Sequence, residues 1–187
     1  MKTTLLVLAA MAAFSSAVIA QGQVSPGAVK VSKCEHKLVP TPQFQITGGQ
    51  NKRYKVGEWL EVEVEFESTP EEIDELTFKY TVLIDKKVVE GEVTHVNIPK
   101  GRDHFSVVYI APRSLEKLVG SKIVNAAHIQ AVWVEVSRQG QLLAKFPQQG
   151  PAIPNVQRFP GVQLLNKLQT PFAPLYFDRY EAIKQQR

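Results

Sequence analysis

A single cysteine in 187 residues excludes an intrachain disulfide framework and any zinc or iron–sulfur site built from several cysteines. Beyond the first twenty residues no stretch approaches eighteen consecutive apolar residues, so no helical membrane span is expected there. The sequence has no G-x-S-x-G, no H-E-x-x-H, no phosphate-binding loop and no Cys–His pair at a nucleophile–base spacing. No catalytic residue, cofactor or metal is therefore expected. What remains is an ordinary core-forming composition, 44% hydrophobic, at a length that fits one domain with tails.

The first twenty residues read as an address. Met1 and Lys2 give a short positive start, Thr3 to Ala13 carry no charge, and Ala17-Val18-Ile19-Ala20 offers small side chains where a signal peptidase reads. Cleavage is expected after Ala20, with Ala17 as second choice. Cys34 lies too far downstream for a lipoprotein, and the polar, Gly/Pro-bearing chain from Gln21 lacks the long apolar helix of a type IV pilin. The mature chain is expected to be secreted across the inner membrane and to remain periplasmic or associated with the cell surface.

Its charge is segregated. Residues 21–57 carry six bases and one acid, residues 58–75 nine acids and no base, and the remainder is again basic. The net +4 therefore does not describe a uniformly basic face, and no nucleic-acid partner is expected.

Residues 21–42, with Pro26, Pro40 and Pro42, read as a linker or an irregular strand, and 43–146 as the folded unit. Phe44 and Ile46 mark a short first strand. From Trp59 to Glu67, Leu60, Val62, Val64 and Phe66 alternate with four glutamates, so the apolar side chains take one face and the carboxylates the other. Further strands are expected over 76–84, 88–98, 104–111, 128–137 and 142–146, with Phe105, Val107 and Tyr109 as the apolar phase of the fifth. Residues 114–120 read as a short helix capped by Ser114 and stopped by Gly120. About seven short strands with one helix between the fifth and sixth outline an all-β, immunoglobulin-like sandwich, with a small β-barrel as the alternative.

Residues 147–187 hold six of the twelve prolines, then Phe172, Tyr176, Phe177 and Tyr180 within nine residues. Such aromatics are expected to dock, either back on their own sandwich or on an envelope protein or second copy. Trp59 shares its phase with the glutamates and is the candidate for stacking on a glycan ring, although a tryptophan at a strand's start more often covers the end of a core. The glutamate row suits a solvent-facing strand better than a calcium site, because side chains two apart along a strand do not converge. Cys34 is expected to be tucked in or free, with an intermolecular disulfide as the alternative.

The leader, the strand Trp59-Leu60-Glu61-Val62-Glu63-Val64, the stretch Ala111-Pro112-Arg113-Ser114-Leu115-Glu116-Lys117-Leu118 and the ending Thr170-Pro171-Phe172-Ala173-Pro174-Leu175 together resemble a family of small exported immunoglobulin-like proteins of Verrucomicrobia, encoded beside type IV pilus assembly genes. That resemblance implies a non-enzymatic structural, adhesive or assembly role in the cell envelope, associated with a type IV pilus system. Its partners would be envelope or pilus-system proteins or the chain itself, with mucin glycan as the alternative ligand. It supplies no catalytic residues to carry over.

Overall fold

The computed structural model describes residues 27–45, 47–49, 55–69, 71–156 and 158–185. The expected signal peptide and Ile46 lie outside them. Eight strands and one α-helix occur among the described residues: β1 (Val29–Pro40), β2 (Glu58–Ser68), β3 (Ile73–Ile84), β4 (Lys87–Ile98), β5 (Gly101–Ile110), α1 (Pro112–Val119), β6 (Ile129–Arg138), β7 (Gln141–Phe146) and β8 (Leu165–Asn166). They form two antiparallel sheets in the orders β1-β2-β5-β8 and β4-β3-β6-β7.

Strands 1-2-5 and 3-6-7 take the A-B-E and C-F-G places of an immunoglobulin-like sandwich, and β4 extends the second sheet. The two sheets remain separate, which settles the choice against a barrel.

The core lies where period-two alternation placed it on β2 and β3. Leu60, Val62, Val64 and Phe66 are fully buried against Leu76, Phe78, Tyr80, Val82 and Ile84 of the facing sheet. Phe66 and Phe78 meet at a ring separation of 4.8 Å. Each such side chain contributes roughly 1.5–3 kcal/mol of gross burial energy. Asp85 and Lys86, both at positive φ (45° and 62°), make the tight turn between β3 and β4.

Three local expectations change. Val29–Pro40 takes the irregular-strand alternative and not the linker, and Phe44 lies outside any strand. The pairing of β1 with β2 shifts register between Val31 and Lys33. Before the shift Val29 and Val31 take the core phase, and after it Cys34, His36 and Leu38 pair with Val64, Val62 and Leu60. One extra residue swaps odd for even, so no single alternation survives in the sequence. The helix starts at Pro112, preceded by Ala111 as the cap, and not at Ser114. Proline is suited to the first helical position, where an N–H has no intrahelical partner.

The third change concerns residues 147–185. Trp133 on β6 donates its indole N–H to the Pro151 carbonyl at 3.0 Å, so the proline-rich stretch covers that strand's outer side. The chain then bonds to β4 (Phe159 N–H to Val88 O, 3.0 Å). Leu164 passes so close to Gly91 that a Cβ there would sit 2.5 Å from the Leu164 Cβ. Beyond that point β8 pairs with β5.

Candidate functional site

The face of β2 that carries the glutamates is covered at Glu61 and Glu63. Glu61, only 6% exposed, accepts a hydrogen bond from the Tyr109 hydroxyl at 3.0 Å and pairs with Lys37 at 2.9 Å. Glu63 receives Arg179 (Nη2 to Oε1, 2.7 Å; Nε to Oε2, 3.3 Å) and the Tyr180 hydroxyl at 2.6 Å. Burial by itself would raise the Glu63 carboxyl, but the hydrogen bonds from Arg179 and Tyr180 and the nearby positive charge hold it below its ordinary value. Tyr109 and Tyr180 are both pushed up, first by burial and then by these carboxylates.

Above the carboxylates lies a second, smaller core. Phe172 stacks flat on Tyr109, with ring centroids 4.6 Å apart and planes 3° from parallel, and meets Trp59 edge-on at 5.7 Å. Trp59 also meets Tyr109 edge-on and donates its indole N–H to Thr41 Oγ1 at 3.1 Å. The Arg179 guanidinium lies 3.7 Å over the Phe105 ring. The buried Lys167, its ammonium pulled down by desolvation, donates to the Ala173 carbonyl and faces the Tyr180 ring.

One expectation is corrected in part here. Glu61 and Glu63 are clamped rather than solvated, while Glu65 and Glu67 stay half-exposed. On β5 the phase Phe105, Val107, Tyr109 points outward beneath the C-terminal segment, while His104, Ser106, Val108 and Ile110 pair opposite the core residues of β2. A signal was present: Val108 and Ile110 make both phases of this strand apolar, as Ile129, Ala131 and Trp133 beside Val132, Val134 and Val136 do on β6, a pattern of strands covered on both faces.

Residues 181–184 complete the attachment. Val96 N–H donates to Ala182 O (2.9 Å), Lys184 N–H to Thr94 O (2.8 Å) and Glu181 N–H to Phe105 O (3.3 Å), so this short stretch bonds to β4 and β5 together. Its anchors are two histidines. His104 Nδ1 lies 2.7 Å from the Glu181 carboxylate, and His95 Nδ1 lies 3.1 Å from the Glu181 carbonyl. A carbonyl only accepts, so His95 carries its proton on Nδ1, and Nε2 accepts from Ser106 (2.7 Å), which accepts in turn from the Tyr80 hydroxyl (2.7 Å). Burial holds the His95 ring at about 4, so it is neutral near pH 7.

Glu181, His104 and Ser68 superficially resemble a hydrolase triad, with Ser68 Oγ 3.5 Å from His104 Nε2. Ser68 is fully buried and donates its hydroxyl proton to the Pro99 carbonyl at 2.6 Å. Ser106 is equally buried. Neither oxygen meets solvent, and both are bonded as structural groups are. Among the described residues no group of three or more His, Cys, Asp or Glu is placed to hold a metal ion. Cys34 is half-buried and its thiol is pushed up to about 12, first by burial and then by Glu35, which leaves little reactive thiolate.

The five residues singled out in the sequence thus divide. Phe172 (6% exposed), Trp59 and Tyr180 belong to the small core. Trp59 also borders a cleft of about 460 Å³ with Lys55 and Arg113, but its ring is held edge-on by its aromatic neighbours and its N–H is used. Tyr176 and Phe177 stand out at 66% and 84% exposure. Tyr176 adopts φ 51°, and Leu175 and Arg179 make turn hydrogen bonds to Phe172 and Tyr176 on either side. The pair is a fixed knuckle between anchored flanks.

These features define an all-β sandwich whose C-terminal segment is clamped across one sheet, with its polar groups paired internally and two aromatics presented outward. A protein-family model matches residues 20–187, and the chain belongs to that family. Chains of solved structure also match. One, from Akkermansia muciniphila, is 23% identical with a TM-score of 0.73, over 85% of this chain and 94% of that one. At that identity the likeness shows the fold alone. No curated protein matches.

Proposed function

We propose that this protein is a non-enzymatic structural or assembly module of the cell envelope, associated with a type IV pilus system, and that it works by surface contact. The observation that carries this reading is the Tyr176–Phe177 knuckle: two large exposed aromatics held on a segment that Phe172, Arg179 and Tyr180 fasten to the sandwich. Exposed aromatics on a rigid support make contact area at small entropic cost, and such residues dominate the energetics of protein interfaces. Export is supported by the apolar leader and by the family match, which begins at residue 20, where that leader ends. The match to an Akkermansia protein supports the verrucomicrobial resemblance.

A glycan-binding role resting on Trp59 has less support, because the ring is half-buried against Tyr109 and Phe172 and its N–H is bonded to Thr41. Crosslinking in envelope extract tests the proposal. The wild-type chain should capture a defined envelope partner, and Tyr176→Ser with Phe177→Ser should lose it while the fold stays intact. An unchanged partner set in the double variant overturns the assignment of the knuckle.

A further inference from the structure

The sandwich has two seams, and among the described residues a separate segment of the chain bonds across only one of them. Between β4 and β5 the C-terminal segment lies as an extended plug: it bonds to both sheets, turns Ile183 toward the core and has its acidic Glu181 caught by His104. Between β1 and β7 there is instead an open cleft of about 500 Å³, lined by Val29, Lys30, Leu142, Leu143, Ala144 and Lys145. β7 is the outer strand of its sheet, and no backbone hydrogen bond links it to β1 among the described residues. Leu142 is 54% exposed beside this free edge. Lys30 and Lys145 have no carboxylate oxygen within 4.0 Å among the described residues.

We propose that this cleft is a docking site for an extended acidic strand of a partner protein. The strand adds to the free edge of β7, sets apolar side chains against Leu142, Leu143 and Ala144, and brings its carboxylates to Lys30 and Lys145. The filled seam shows what such a site accepts in this molecule: an extended segment, backbone hydrogen bonds to a sheet edge, an apolar side chain inward and a carboxylate held by a basic group. A second copy has no comparable strand to offer. The chain's one strongly acidic stretch, residues 58–75, supplies β2 and the start of β3, both already paired on two sides. The occupant therefore comes from a different protein. This surface does not include the Tyr176–Phe177 knuckle, so the two assignments stand or fall separately.

The test uses the full chain, expressed with its own leader, and a synthetic peptide alternating valine and glutamate over about ten residues, a length that spans one strand. Binding should be saturable, weaken as salt rises, and slow amide exchange at residues 141–146. Reversing both lysines (Lys30→Glu with Lys145→Glu) should weaken it by about tenfold or more, since two rim attractions become repulsions. Because both side chains are at the surface, that variant keeps the fold. A valine–lysine peptide should bind the variant better than the wild type, a readout that loss of folding cannot mimic. Equal binding of both peptides to the wild type, protection elsewhere than β7, absence of binding, or a peptide-independent dimer joined through β7 would each overturn the proposal.

Discussion

β2 serves two cores with one alternating sequence. Its even positions, Leu60 to Phe66, enter a mainly apolar interior shared with β3, β5 and β6, whose few polar groups, among them Tyr80, Ser106 and His95, bond one another. Its odd positions, Trp59, Glu61 and Glu63, enter a thinner layer where carboxylates, phenols, a guanidinium and stacked rings meet beneath residues 172–180. The first core depends mainly on excluded water, with specific pairing confined to a few groups such as Tyr80, Ser106 and His95. The second buries charge, which is tolerable only because each carboxylate there meets a cation and a hydroxyl. Stability should therefore reside mainly in the first, and the attachment of the C-terminal segment in the second.

The largest effect should come from the apolar core. Phe78→Ala removes a fully buried ring between the sheets and should cost about 4 kcal/mol in urea denaturation, with all strands lost together. A second large effect belongs to His95, which sits between the sheets yet fastens the segment. Its ring titrates near 4 in the folded chain and near 6.5 when unfolded. Between those values the unfolded chain holds a proton that the folded one does not. The full contribution is thus present above pH 6.5 and is lost as pH falls toward 4, by about 3 kcal/mol in all. Subtracting the stability–pH curve of His95→Asn isolates this; equal slopes in both proteins over that window would refute it. The smallest effect should be Phe172→Ala, at about 2 kcal/mol, with chymotrypsin cutting the 172–180 segment while the sheets persist. If Phe172→Ala and Phe78→Ala proved equally and globally damaging, the molecule would have one core and not two.

What could be read from the sequence follows from what alternation encodes. On β2 and β3, which are unbroken and whose apolar phase has one destination, the pattern identified the core residues correctly. β1 could be read only as a linker or an irregular strand, because one extra residue near Ser32 shifts the register and erases parity without leaving a compositional mark. The glutamate face was misjudged for a different reason. Alternation separates two sets of side chains but does not say that the polar set meets water, and here the cover comes from residues more than a hundred positions away: Glu63 meets Arg179 and Tyr180 at separations of 116 and 117. The docking of the aromatic ending was legible in outline. Its division into a buried Phe172 and an outward Phe177 was not, since a positive φ at Tyr176 decides which ring turns away and tyrosine gives no local signal for it.

The double hold on Glu181 also bears on the order in which the molecule is assembled. Its partners His104 and His95 precede it by 77 and 86 residues, so this is among the most sequence-distant ties in the fold. All eight strands precede residue 181 in the chain, and until that residue docks His95 Nδ1 has no carbonyl to receive its proton. Loop closures of that length come late, after nearer contacts have shortened the path. Residues 181–183 thus complete the interior, and a truncation before Glu181 would leave a buried imidazole unanswered.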